Sequence, residues 1–325
     1  MPDKEHIQAI IAPAGLTLRS VHRPKGGLSG SVFVLETDQG RFILKVSQDP
    51  AEDWKPVKER IVYGLLQSRD IPAPNVLAAD FSRCLAPFAY TLSECLPGVT
   101  LSSAYSDLSD AEKHEIYRHL GGLLGRMHSL TCDRFGDVAV REGEVAAGPA
   151  LELAEEAKGR QIGPFATWRE MHREIVRGRL AFLSRTEFHD LTEPIQAWFD
   201  KHDGLLDYSI TPRLLHMDLH RSNILVAGGK ITGVIDVEEA VIGHNEYDLM
   251  RTELAHFGDN DQAFKGAFFE GYNAHVTPDA GYERRRPFYE MSRMLVGLRC
   301  LVVFRSSDPE EAHRTRTRIY ELLAL

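Results

Sequence analysis

The stretch HMDLHRSNILV, residues 216–226, sets His216, Asp218 and His220 at alternate positions and follows them with Asn223 and an apolar run. Three readings compete: a metal cradle, a catalytic loop, or a polar turn. A zinc site wants three or four donors in matched geometry, and i, i+2, i+4 spacing on an irregular segment fixes none. The sequel favours the second reading. Ile224-Leu225-Val226 and Ile231 to Ile235 flank Ala227-Gly228-Gly229-Lys230, a hairpin signal. Such a hairpin returns Asp236 to the end of the ribbon that carries Asp218 and Asn223. An amide carbonyl and a carboxylate are hard oxygen ligands suited to Mg²⁺, so Asn223 and Asp236 are candidate metal ligands. Asp218 is then left to meet an attacking hydroxyl.

Composition sets the outer bounds. The chain has 325 residues, 43% hydrophobic and 26% charged, which fits a soluble protein of one large domain or two lobes. A formal charge of −9 argues against a nucleic-acid partner held through a basic face. Residues 1–97 balance 11 basic against 11 acidic side chains, so the whole negative excess falls on residues 98–325. Cys84, Cys95, Cys132 and Cys300 share no CxxC spacing, and the opening MPDKEHIQAIIAPAG has no secretory pattern. Reduced thiols in a cytoplasmic protein are expected. The apolar run from Leu295 to Phe304 is broken by Arg299 and is too short to span a bilayer, so no membrane partner is expected.

Periodicity divides the chain into unequal parts. Val32 to Glu36 and Arg41 to Val46 read as strands joined by a turn, Val57, Ile61, Leu65 and Leu66 as one apolar helix face, and Phe88 to Leu96 as a further strand. Strand, strand, helix, strand describes a small lobe over residues 1–97, with Pro97-Gly98 as the linker to a larger part, 98–325. There Ser109 and Glu112 form a capping box ahead of a helix. Residues 131–164 read mostly as loop with one short helix. Helical patterns resume at 165–185, 193–206, 246–257, 260–274, 282–305 and 309–324, interrupted by the β island Leu214 to Asp236.

HMDLHRSNIL followed by GVIDVEEAVIGHNEYDL resembles the HxDxxxxN and downstream Asp motifs of the aminoglycoside phosphotransferase and choline kinase-like family, whose fold is related to that of the protein kinases. Companion motifs carry the resemblance from about residue 26 to 255. It implies an α+β, two-lobed, protein-kinase-like fold with a small β-rich N-lobe and a large, mostly helical C-lobe. Lys45 in FILKV looks like the strand lysine that grips the α- and β-phosphates, and Glu59 stands where the family places its helix glutamate partner. Lys25 to Ser31 resembles the phosphate loop, with Ser29, Gly30 and Ser31 as cofactor-binding candidates. Ser93-Glu94-Cys95-Leu96 matches the hinge, which implies adenine bonding to the Glu94 carbonyl and the Leu96 N–H, with Ser93 at the gate of the deeper pocket. Tyr247-Asp248-Leu249 matches the segment that supports the catalytic loop. The family usually writes glycine at Met217, proline near Arg221 and tryptophan at Val237, so the chain departs from the pattern beside the proposed base.

The resemblance implies an ATP-dependent phosphotransferase, with GTP as the alternative donor and Mg²⁺ as cofactor, moving the γ-phosphate to a hydroxyl of a small molecule. The expected acceptor is a cationic aminoglycoside or another antibiotic; alternatives are choline, homoserine or a similar alcohol, and a non-catalytic nucleotide-binding protein. Glu238, Glu239, Asp259 and Asp261 are the acidic groups that would hold an amine-bearing acceptor. His216 is expected to pack within its loop. His220 is left open between a backbone bond and the substrate.

Overall fold

β-branched and aromatic runs build the first sheet, and the computed structural model describes it within residues 2–24, 32–141, 144–148, 162–257, 261–304 and 309–325. A short helix, α1 (Lys4–Ile11), precedes strands β1 (Leu18–His22), β2 (Val32–Thr37) and β3 (Gly40–Ser47); helix α2 (Lys55–Gln67) follows, then β4 (Val76–Asp80) and β5 (Ala89–Glu94). The five strands pair antiparallel in the order β1-β2-β3-β5-β4. Ile7, Ile10 and Ile11 of α1 pack on Phe33, Leu35, Leu44 and Leu92, giving this lobe its own core. The strand, strand, helix, strand reading therefore lacked α1 and two of the five strands.

Of the apolar stripe at 57, 61, 65 and 66, helix α2 buries Leu66 fully and packs Ile61 and Leu65 half-buried against the core, but its most buried face includes charged residues. Its buried positions are Pro56, Lys58, Glu59, Val62, Tyr63 and Leu66. Two charges face inward because each meets an opposite charge, as described below. Val62, Tyr63 and Leu66 join the core of the larger lobe, so α2 belongs by packing to both halves.

Beyond β5 the chain passes Pro97-Gly98. Gly98 has φ 107°, and a Cβ there would stand 2.3 Å from the Val226 carbonyl oxygen, so only glycine lets the linker lie against the hairpin. Next come β6 (Val99–Thr100), α3 (Leu101–Ala104) and α4 (Asp110–His128), whose Ser109–Glu112 capping box forms as expected. Instead of a loop with a short helix, the described part of 131–164 holds the antiparallel pair β7 (Gly136–Arg141) and β8 (Glu144–Ala147). The alternation in GDVAVREGEVAA carries that signal.

After α5 (Trp168–Leu183) and α6 (Thr192–His202) come β9 (Arg213–Leu215), β10 (Ile224–Ala227), β11 (Lys230–Val234) and β12 (Val241–Gly243). Strands β11, β10 and β6 form one small sheet; β8, β7, β12 and β9 form another. Helices α7 (Asn245–His256), α8 (Lys265–Asn273), α9 (Tyr282–Val303) and α10 (Pro309–Leu323) complete the lobe. The result is a two-lobed α+β protein-kinase-like architecture. Among the described residues no helix is long and apolar enough to cross a membrane.

Candidate active site

Strand β3 delivers Lys45 to the cleft, and α2 brings Glu59 to meet it. Their Nζ and Oε1 atoms are 2.5 Å apart, and the same Nζ reaches Asp236 Oδ1 at 3.1 Å across the lobes. Burial works to lower the Lys45 pKa, but Glu59, Asp236 and Glu238 outweigh it and hold the amine well above its ordinary value. It is therefore a fixed cation. Beside Glu59, Lys58 turns into the protein and pairs with Asp137 of β7 at 2.7 Å, both side chains almost fully buried.

The β10–β11 hairpin sets the opposite wall. Ile224 pairs with Val234, and the Ile235 N–H donates to the Asn223 carbonyl at 3.0 Å, so Asn223 and Asp236 finish at one end of the ribbon. Asp236 sits at φ 63°, and its N–H donates to the Tyr63 hydroxyl at 3.1 Å. The Asn223 amide donates to the Asp218 carbonyl at 2.9 Å and to Asp218 Oδ2 at 3.3 Å. Its own oxygen meets no described donor. That oxygen and the part-exposed Asp236 carboxylate are hard donors, and together they fit Mg²⁺, which keeps most of its waters.

Both ring nitrogens of His216 are committed. Nδ1 accepts the Asp218 N–H at 3.2 Å and Nε2 lies 3.2 Å from the Ile235 carbonyl, which fixes the neutral Nε2–H tautomer. Burial pushes its pKa down. Hence the metal-cradle reading fails on geometry. Asp248 of α7 accepts the N–H groups of His216 at 2.7 Å and Met217 at 2.9 Å while touching His128 Nε2 at 3.2 Å. Met217 adopts φ 70°, the left-handed region that suits the glycine of the family pattern. His256 Nε2 holds the Leu219 carbonyl at 2.9 Å, and Arg221 bonds the Tyr117 hydroxyl, the His256 carbonyl and Asp261 Oδ2. The loop is thus tied down at nearly every residue.

Asp218 remains 36% exposed. Burial raises its pKa, but His220 at 3.4 Å, Arg251 at 3.7 Å and His216 outweigh that and bring the carboxyl down to about 2. In return, the hydrogen bond with Asp218 raises the pKa of His220 against its burial.

At the hinge, Ser93 is buried on β5 and Glu94 is exposed. The Glu94 N–H donates to Asn75 and the Cys95 N–H to Arg41, whereas the Leu96 N–H meets no described protein acceptor. Ser29, Gly30, Ser31 and Asp259 lie outside the described residues. Of the acidic groups expected to hold an amine, Glu238 is shared by Lys45 and Lys55, and Asp261 is taken by Arg221 and the Tyr105 hydroxyl. Sequence reading missed Lys58, Asp137 and Arg251; the only signal was their charge at positions inside helical or strand patterns.

The profile of the phosphotransferase enzyme family matches residues 20–288. The chain belongs to that family. As a phosphotransferase it is similar to the homoserine kinase of Neisseria meningitidis serogroup B (strain ATCC BAA-335 / MC58), 26% identical over 264 residues, covering 79% of this chain and 74% of that protein. It also resembles the hygromycin-B 4-O-kinase of Escherichia coli, 25% identical over 203 residues, 59% of this chain and half of the relative. A solved structure of a thermostable mutant of the aminoglycoside phosphotransferase APH(4)-Ia, a ternary complex with AMP-PNP and hygromycin B, superposes with a TM-score of 0.68 at 19% identity, covering 99% of this chain and 98% of that one. This phosphotransferase is accordingly an ATP-dependent kinase of small molecules.

Proposed function

We propose that Asp218 is the catalytic carboxylate of a transfer from ATP to an alcohol, with Lys45, held in place by Glu59, gripping the α- and β-phosphates and the Leu96 N–H receiving adenine. The observation that carries this reading is the convergence of Lys45, Glu59 and Asp236 from three elements and two lobes on the edge of the Asp218–Asn223 loop. In the transfer, the acceptor oxygen bonds to the γ-phosphorus as the bond to the β–γ bridging oxygen breaks, and the hydroxyl proton passes to an Asp218 oxygen. With a pKa of about 2, Asp218 is a weak base. Its task is to orient the hydroxyl and take the proton late, which suffices because phosphoryl transfer passes through a loose transition state. Asn223 and Asp236 would hold Mg²⁺, which when bound neutralises phosphate charge.

The acceptor we favour is a small metabolite alcohol of the homoserine kind. Glu238 and Asp261, two of the four acidic groups expected to hold a polycation, are committed to internal cations. Antibiotic phosphorylation is the second reading, supported by likeness to the hygromycin kinase. Turnover of ATP measured across homoserine, choline, hygromycin B and other aminoglycosides separates the two. Stimulation by hygromycin B alone would reverse the preference, and unchanged transfer by Asp218→Asn would remove Asp218 as the base.

A further inference from the structure

Arg221 opens the 3₁₀ turn Arg221–Asn223 that leads the catalytic loop into β10. The backbone there asks for nothing that an arginine supplies. His220 ahead of it is extended, at φ −109° and ψ 171°, and the Arg221 N–H meets no described acceptor, as expected at the first position of a helical turn. Proline would fit: its ring holds φ near that of a 3₁₀ turn, it favours an extended residue before it, and it would give up no hydrogen bond. What the arginine adds is therefore carried by its side chain.

The guanidinium lies 3.7 Å from the centre of the Tyr105 ring, just after α3. Nη2 reaches the Tyr117 hydroxyl of α4 at 2.9 Å, the His256 carbonyl at the end of α7 at 2.9 Å and Asp261 Oδ2 ahead of α8 at 2.7 Å, while Nε donates to Tyr117 at 3.1 Å. These partners are joined to one another. The Tyr117 hydroxyl donates to that of Tyr105 at 3.3 Å, and the Tyr105 hydroxyl donates to Asp261 Oδ1. His256 also holds the Leu219 carbonyl through its ring, so the loop meets the end of α7 twice. Two residues beyond Arg221 stands Asn223, whose amide donates to the Asp218 carbonyl and to Asp218 Oδ2.

We propose that Arg221 is a positioning residue: anchored to α4, to the end of α7 and to Asp261, it fixes the turn that sets the Asn223 oxygen and, through the Asn223 amide, the Asp218 carboxylate. This rests on the phosphotransfer reading above and adds a residue to the same site. A turn of three residues has little hydrogen bonding of its own, here the Asn223 N–H to the His220 carbonyl at 2.9 Å, so its orientation is set from outside. A planar guanidinium bonded to separate elements leaves the turn one orientation; the point charge of a lysine does not. Asp261 thereby serves the reaction from inside the protein, through Arg221, and not by holding the acceptor.

The test compares the full-length chain with Arg221→Gln, Arg221→Lys, Arg221→Pro, Asp261→Asn and the double variant Arg221→Gln with Asp261→Asn. Amide hydrogen exchange is read without ligand, and steady-state turnover with Mg²⁺-ATP and whichever of homoserine, choline and hygromycin B the wild type uses. Arg221→Gln should speed exchange over residues 217–223, lower kcat by on the order of 10- to 100-fold and raise the Mg²⁺ needed for half-maximal turnover by about 10-fold, with the acceptor KM nearly unchanged. Arg221→Lys should do little better. Arg221→Pro, which stiffens the backbone without the bonds, should recover part of both kcat and exchange protection. The double variant should lose no more kcat than Arg221→Gln alone, because Asp261 acts through the arginine. A lowered Tm in Arg221→Gln with kcat, Mg²⁺ demand and loop exchange all kept makes Arg221 merely structural and overturns the proposal. A raised acceptor KM in place of a lowered kcat, or additive losses from Arg221→Gln and Asp261→Asn, overturns it as well. Should Arg221→Pro fail to fold, the lysine variant and the double variant decide. A wild type that uses no acceptor overturns the phosphotransfer reading, and hydrogen exchange then still decides whether Arg221 anchors the loop.

Discussion

The two sides of Asp218 are built on opposite plans. Toward the N-lobe, Lys45 is matched by Glu59, Asp236 and Glu238, and Lys58 by Asp137. Toward α7, Arg251 stands 3.7 Å from Asp218 Oδ1 and His220 stands 3.4 Å from Oδ2, so two groups share one carboxylate. A triphosphate presents the same shape in every turnover, so its handlers can be held in place by mutual pairing before it arrives. An acceptor that must be told from its rivals is better read by groups still short of a partner, because a wrong molecule then leaves them unsatisfied.

The largest effect should come from the residue shared by both sides. Asp218→Asn should lower kcat by on the order of 10²- to 10⁴-fold in steady-state assays and leave the KM for ATP nearly unchanged. Retained turnover would make the loop a scaffold rather than a catalytic element. Next, Lys58→Met should cost about 3–5 kcal/mol in denaturant unfolding, because Asp137 is then buried without its cation, whereas the double change Lys58→Met with Asp137→Leu should recover most of it. If single and double variants lose equally, the pre-paired plan is wrong for that pair.

Smaller effects probe finer points. Glu59→Gln should leave Lys45 to Asp236 and raise the KM for ATP by about 10-fold, visible in ATP titrations at saturating acceptor. The least is a pH effect. The folded pKa of His220 is raised by Asp218, so the stability it contributes is complete below about pH 6.5 and fades as pH climbs through the raised value. His220 is half exposed, which limits this to under about 0.5 kcal/mol. Melting curves from pH 5 to 9 should show a gentle decline that His220→Gln flattens.

The fold and the nucleotide side were legible because their signals are local or ordered. Alternating β-branched runs name strands, the Gly228-Gly229 turn names the hairpin, and hairpin closure alone brings Asp236 back to Asn223. Lys45 and Glu59 were legible as a pair through family order. The inward face of α2 was not, since a hydrophobic stripe cannot announce that Lys58 and Glu59 will be buried; that depends on Asp137 arriving from 79 residues further along. Arg251 was hidden for the same reason. It looks like an ordinary helix charge until α7 is packed, and only then does it stand against Asp218.

Asp137 lies on β7 in one lobe and Lys58 on a helix carried by the other. An ion pair sealed from water resists being stretched far more than a surface one, so it should act as a pivot between the halves. Opening to admit or discharge nucleotide should then be a rotation about this point, with the far rim of the cleft travelling most and Glu59, one residue from the pivot, travelling least.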